Sequence, residues 1–265
     1  MKKMVIAVLV VLIILGGLVI FDTIRIDNYK SQAKVIRVSF IVNSDKDLSL
    51  ASNKNDDNQA LKEDIYQKYQ QNLAVAKSLD SQNTSSRYLL PWNRSEASEI
   101  QKNTNKMSQA VVYYGANIAI TKAIILHDKL VASIQANAST LNTGNFNILL
   151  IQESNFLKLS SDEEEINGVL KQLAKLVTGV DISYPIYVSD IAHQYFSTIT
   201  SNIASYKQNK AINQSEVNDL SVKFNKTDYN QYNQAMTNLV NTSFDSVYKP
   251  YLSLVGEVTD FSDKL

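Results

Sequence analysis

Residues 95–141 read SEASEIQKNTNKMSQAVVYYGANIAITKAIILHDKLVASIQANASTL. Within them Ile100, Thr104, Met107, Val111, Tyr114, Ile118, Thr121 and Ile125 recur at alternating steps of four and three. Such steps line one narrow seam along an α-helix, the arrangement of bundles and coiled coils. A second register then overlaps the first, through Ile120, Ile124, His127, Val131, Ile134, Ala138 and Leu141. The change of register turns the seam around the helix, so its two halves are expected to meet different neighbours. No proline interrupts the stretch. Ser95 is the expected N-cap, and Thr143-Gly144-Asn145 the expected stop.

Helical periodicity continues on both sides. Towards the N-terminus, Leu61, Ile65, Tyr69, Leu73, Ala76 and Leu79 mark one apolar face of a helix that begins near Gln59. Towards the C-terminus, Phe146–Leu159 is apolar enough for a buried helix. Ser161 and Glu164 have capping-box spacing and should open a helix running to about Thr178, with Gly179 at its C′ position. A turn at Ser183-Tyr184-Pro185 leads to Ser189, the expected N-cap of 190–208. Shorter segments are expected at 215–225 and 228–248, where Pro250 should kink or end the helix, followed by a weakly helical tail. With 7 glycines and 3 prolines the chain has few sharp turns, which favours long helices over a many-stranded fold.

Ahead of these helices lies a different kind of segment. Met1-Lys2-Lys3 precedes an uninterrupted apolar run from Met4 to Phe21. At ~1.5 Å per residue the run reaches ~27 Å, close to the ~30 Å hydrocarbon core of a bilayer. A cleaved signal peptide would have a shorter apolar core ending in small residues, and here Leu18-Val19-Ile20-Phe21 continues past Gly16 and Gly17. The run therefore reads as an uncleaved signal anchor. The stretch Val35–Phe40 could extend the anchor helix or pair as a strand. Asn43–Asn58 is polar and reads as a flexible tether.

The fold class expected from these patterns is all-α: one N-terminal transmembrane helix, then an extended bundle of about five to six helices. The organisation is an anchor over 1–28, a neck and tether over 29–58, and a helical-bundle domain over 59–265 with a possible sub-boundary near 143. Flanking charges set the orientation. Lys2 and Lys3 lie directly against the run on one side. Arg25, Lys30 and Lys34 lie further away on the other, interleaved with Asp22 and Asp27. This places the N-terminus in the cytoplasm and the bulk of the chain outside; a cytoplasmic bulk is the alternative.

Composition narrows the chemistry. Lysine plus arginine and aspartate plus glutamate each number 26, for a net charge of zero, so there is no basic footprint for nucleic acid. Cysteine is absent, which removes disulfides, thiolate metal sites and thiol nucleophiles, and agrees with an exported protein. No phosphate-binding, hydrolase or metalloprotease motif is present. His127 falls on the seam and reads as a buried neutral imidazole with one hydrogen bond. Asp190 and His193 share a helix face, and read as a solvated pair. Glu163-Glu164-Glu165 complement the macrodipole in a helix's first turn. No catalytic, cofactor or metal residue is expected.

The stretch Tyr88-Leu89-Leu90-Pro91-Trp92 holds the chain's one tryptophan in a loop between helices. Tyr88, Leu89, Leu90 and Trp92 are the candidate partner contact, because Trp and Tyr dominate binding hot spots. A loop folded back to cap the bundle is the competing account. The function expected is a non-enzymatic, membrane-anchored extracytoplasmic bundle acting through envelope or protein partners, with the membrane itself engaged by residues 4–21. The alternatives are a bundle that holds a small ligand, and an enzyme whose site is not visible in sequence.

Overall fold

All regular structure in the computed structural model is helical among the residues it describes, which are 2–50, 56–136, 153–176, 181–208, 213–226 and 229–265; no strand occurs among them. The helices are α1 (Lys2–Leu50), α2 (Asp56–Gln82), α3 (Pro91–Ala136), α4 (Glu153–Leu176), α5 (Ser183–Lys207), α6 (Gln214–Asn225), α7 (Tyr229–Ser243) and α8 (Lys249–Lys264). A 3₁₀ turn, Ser85–Arg87, lies between α2 and α3, and a π turn, Phe244–Tyr248, joins α7 to α8. The all-α class holds, and the described residues contain seven α-helices after α1.

The neck is the largest departure. Of the two readings of Val35–Phe40 the structure takes the helical one, and in place of a tether from Asn43 α1 continues to Leu50. The reason lies in its buried positions: Asp22, Ile26, Tyr29, Ala33, Arg37, Phe40, Ser44 and Asp47 recur every three or four residues. Half of them are polar, so the stripe does not register as apolar. Residues 51–55 of the expected tether lie outside the described residues, and α2 has begun by Asp56. In α2 the expected face is the buried one, except that Leu61 is exposed.

Several helix starts also move. Helix α3 begins at Pro91 rather than Ser95, and the carbonyl of Leu90 accepts its first intrahelical bond, from the Arg94 N–H at 3.0 Å. Proline suits this first position because its missing N–H would have no partner in the helix anyway. Helix α4 runs unbroken through Ser161, and α5 starts at Ser183 with Pro185 in its first turn, so neither Ser161 nor Ser189 is a cap. The Asp181 carboxylate accepts from the Ser183 N–H at 3.0 Å and so opens α5. The expected stop at 143–145, the helix at 146–152 and Gly179 lie outside the described residues. Pro250 does not end the helical run: it is the second residue of α8, in the first turn where its missing N–H leaves no intrahelical bond of α8 unmade, and the π turn precedes it.

The chain divides into two compact units. The first comprises residues 1–53, 60–114 and 250–265, and the second residues 54–59 and 115–249. Helix α3 contributes to both, passing from the first to the second between Tyr114 and Gly115, ahead of the point where the second seam register begins at Ile120.

In the first unit, Ile26, Tyr29, Ala33, Leu79, Tyr88, Ala97 and Ile100 form one buried cluster. A second layer is aromatic and polar: Tyr69 lies 4.4 Å from Phe40, 5.1 Å from Tyr114 and 6.4 Å from Tyr251 between ring centroids. The hydroxyls of Tyr69 and Tyr251 are 2.7 Å apart, and Tyr114 donates to the Asp47 carboxylate at 2.8 Å. Tyrosines suit this layer because each buries a large ring while its hydroxyl finds a partner.

In the second unit, α5 packs on α4, α6 and α7. The seam of α4, through Phe156, Leu159, Glu163, Ile166, Leu170 and Leu173, is buried. Among the described residues, Pro91–Lys129 is the helical stretch long and apolar enough to cross a membrane. Half of its most apolar window is buried, as in the core helix of a folded domain. That criterion falls on α3 rather than on the N-terminal run, where only the side chains from Leu12 onward are described.

Candidate functional site

The Tyr88–Trp92 elbow is built from the end of the apolar run outward. Asp22 follows Phe21 directly, and only 2 % of it is exposed. Its carboxylate accepts the backbone N–H groups of Leu89 (2.9 Å) and Leu90 (3.0 Å) and the Asn93 side-chain amide (2.8 Å). These donors lie at the start of α3, where backbone N–H groups have no intrahelical acceptor, so an aspartate from α1 does the work that a local N-cap would do. Burial alone would raise its pKa, but donation from Leu90, Leu89 and Asn93, with nearby Arg25, outweighs burial and holds the carboxyl below its ordinary value.

Arginines complete the elbow. Arg25 donates to the carbonyls of Arg87 (3.3 Å) and Gln82 (3.0 Å), and its guanidinium stands 5.1 Å over the Tyr88 ring. Arg87 donates to Gln82 O at 2.8 Å and Arg94 to Tyr88 O at 2.6 Å. Tyr88 is fully buried, its hydroxyl donating to Asn83 Oδ1 at 3.1 Å.

The four candidate residues therefore divide. Tyr88 caps the core, and Leu90 is half-buried. Leu89 and Trp92 stay outside, 54 % and 61 % exposed.

The second unit holds the residues weighed for chemistry. His127 is buried, its Nε2 3.1 Å from Asn233 Oδ1 and its ring edge-on to Tyr232 at 4.7 Å. Burial lowers its pKa, so the imidazole is neutral at pH 7. Its Nδ1 has no partner among the described residues. A cleft of about 370 Å³ opens beside it, walled by Ile124, Asp128, Asn233, Met236 and Thr237.

Asp190 and His193 do not form a solvated pair. Asp190 binds Asn167 and Lys171 of α4, the latter at 3.1 Å, and His193 Nδ1 lies 3.2 Å from the Ser160 carbonyl. Together they stitch α5 to α4. The acidic triplet is not in a first turn either. Glu165 pairs with Lys122 at 2.8 Å, while Glu163 is 1 % exposed in the middle of α4. There it accepts from the Ser189 hydroxyl at 2.8 Å, and burial pushes its carboxyl up to about 8. Among the described residues, no three His, Asp or Glu side chains converge as a metal site.

Sequence reasoning read Asp22 and Arg25 only as flanking charges and Glu163 only as a first-turn acid, and it passed over Arg37. The usable signal was their spacing: Asp22 and Arg37 continue the α1 stripe, and Glu163 lies seven residues from both Phe156 and Leu170. No family model, curated protein or solved structure matches the chain.

Proposed function

We propose that this chain is a single-pass membrane protein, held by Met4–Phe21, whose helical remainder works by contact with envelope or protein partners rather than by catalysis. The observation that carries this reading is a contrast within α1. From Leu12 to Phe21 the side chains are exposed, and a Cβ at Gly16 or Gly17 would meet nothing within 4 Å. From Asp22 onward one face of the same helix is buried. Apolar surface left in water costs roughly 25 cal/mol per Å², and contiguous exposed patches of this kind mark an interaction surface or a membrane. Lipid covers the run all round, as its uniform apolarity requires. The apolar side chains of α3, such as Met107, Ala110 and Tyr114, are instead taken up in the first unit's interior.

Lys2 and Lys3 directly against the run, with Arg25, Lys30 and Lys34 standing further from it on the other side, support a domain outside the cytoplasm. Protease added to intact spheroplasts should digest the domain and leave a small anchor fragment. Protection until the membrane is lysed would put the domain in the cytoplasm and end the envelope reading.

The cleft beside His127 favours a second reading, a small ligand held in the second unit. Under the first reading His127→Leu leaves stability within about 0.5 kcal/mol of wild type or raises it, since it removes a buried polar atom without a partner. A small molecule seen by native mass spectrometry on the wild type, and lost in that variant, would carry the second reading.

A further inference from the structure

We propose that the Tyr88–Trp92 elbow is a membrane foot, with Leu89 and Trp92 entering the interfacial layer of the bilayer that holds α1. The inference rests on the reading that Met4–Phe21 spans the membrane, and it adds a second lipid contact, far away in sequence, to that span.

Position is the first argument. The Asp22 carboxylate holds the backbone of Leu89 and Leu90 and the side chain of Asn93, and Asp22 is the residue after the last apolar one. At ~1.5 Å rise per residue, the start of the elbow is fixed within about one helical turn of the end of the run. The headgroup region on each side of a bilayer is roughly 5–7 Å deep, so a span ending at Phe21 puts the elbow at that depth. The fastening is rigid: Arg25 ties the same α1 turn to Gln82 and Arg87, and the buried Tyr88 ring lies beneath it.

Composition is the second argument. Trp is enriched at membrane interfaces, where an amphipathic ring sits among headgroups and carbonyls. The one tryptophan of the chain is here, exposed, next to an exposed leucine. Three of its four arginines, Arg25, Arg87 and Arg94, surround the same elbow, while the fourth, Arg37, is buried further along α1. Asp22 is turned inward on Leu89, Leu90 and Asn93, and Arg25, Arg87 and Arg94 are the guanidinium groups the elbow brings to the phosphate layer. Arginine donates several N–H groups in a fixed fork that matches phosphate oxygens, so a guanidinium bound to one carbonyl can still meet a headgroup. A protein partner would also use Leu89 and Trp92, but it would not explain why they are fastened to the foot of the apolar run.

Because Trp92 is the only tryptophan, the fluorescence of the unmodified full chain reports this position alone. The chain is reconstituted into phosphatidylcholine–phosphatidylglycerol vesicles and floated on a density gradient to verify the anchor. Emission is then read with lipids brominated near the carbonyl end of the acyl chains, with lipids brominated near the chain end, and with aqueous acrylamide. A foot lying roughly 5–10 Å into the headgroup–acyl boundary loses emission most to the shallow bromines, less to the deep ones, and is shielded from acrylamide. Leu89→Trp in a Trp92→Phe background should give the same order. Vesicles that float with the chain while Trp92 ignores bromine and is fully quenched by acrylamide would overturn the foot and leave the anchor standing. A chain that does not float overturns both.

Discussion

Replacing Arg37 by alanine is expected to destabilise the first unit by about 3–5 kcal/mol, while Arg37→Met stays within about 1 kcal/mol of wild type or exceeds it. Arg37 is the largest fully buried side chain among the described residues. Its Nε donates to Asn103 Oδ1 at 2.6 Å, its Nη1 to Ala33 O at 3.0 Å, and its Nη2 to Ile100 O at 2.8 Å and Thr104 Oγ1 at 3.2 Å. The Phe261 ring lies 5.5 Å from the guanidinium. No carboxylate forms an ion pair with it among the described residues, and burial lowers its pKa.

Alanine removes the side-chain volume and leaves the Asn103 and Thr104 oxygens without this donor, so cavity and lost hydrogen bonds add. Methionine loses the same hydrogen bonds and, like alanine, spares the cost of desolvating a cation, but it keeps most of the volume and leaves little cavity, which is what separates the two variants. Urea unfolding of the full chain in detergent checks this, read by Trp92 fluorescence, because the only tryptophan lies in the same unit. An alanine variant within about 1 kcal/mol of wild type would mean that water reaches the guanidinium in solution.

Glu163→Gln is expected to stabilise the second unit by a few kcal/mol at pH 9 and by little at pH 4, roughly 3–5 kcal/mol at the upper end. Burial raises the folded-state pKa to about 8 from an ordinary 4.5, with the Ser189 hydroxyl opposing and Asp162 adding to the rise. Between those two values the folded protein holds a proton that the unfolded chain has released. Stability therefore falls as pH rises from about 4.5 and levels off above about 8. Glutamine keeps an oxygen to accept from Ser189 and never ionises, so its stability curve should be flatter across this window. Unfolding curves taken through the range decide it. If wild type and variant decline in parallel, Glu163 is ionised in the fold and its burial is relieved by water.

Much of the architecture was legible where apolar residues keep a helical period. The seam of α3 is buried at Ile100, Thr104, Met107, Val111, Tyr114 and Ile118, and the face of α2 at Ile65, Tyr69, Leu73, Ala76 and Leu79. His127 was legible for the same reason, because a seam position implies burial and burial favours the neutral imidazole. Helix starts were less so. A serine with an acid three residues later is common in a chain rich in serine, and the pattern at Ser161 cannot reveal that α4 has already begun at Glu153.

By itself, then, the sequence determined the helical class, the apolar run at the start of α1 and the faces of the long helices, since each follows from residue spacing along one element. Only the tertiary structure decided where polar residues are buried, because that depends on partners far along the chain. Asp22 becomes a cap for α3 by meeting donors 67 and 68 residues away. Arg37 is tolerated in a core because carbonyl, amide and hydroxyl oxygens on two helices converge on its fork. Glu163 lies buried on a seam because Ser189 stands opposite it on α5. A hydrogen-bonded polar group can be buried without ruinous cost, whereas an unpaired one cannot. Its partner is fixed by packing between helices, which no local spacing records.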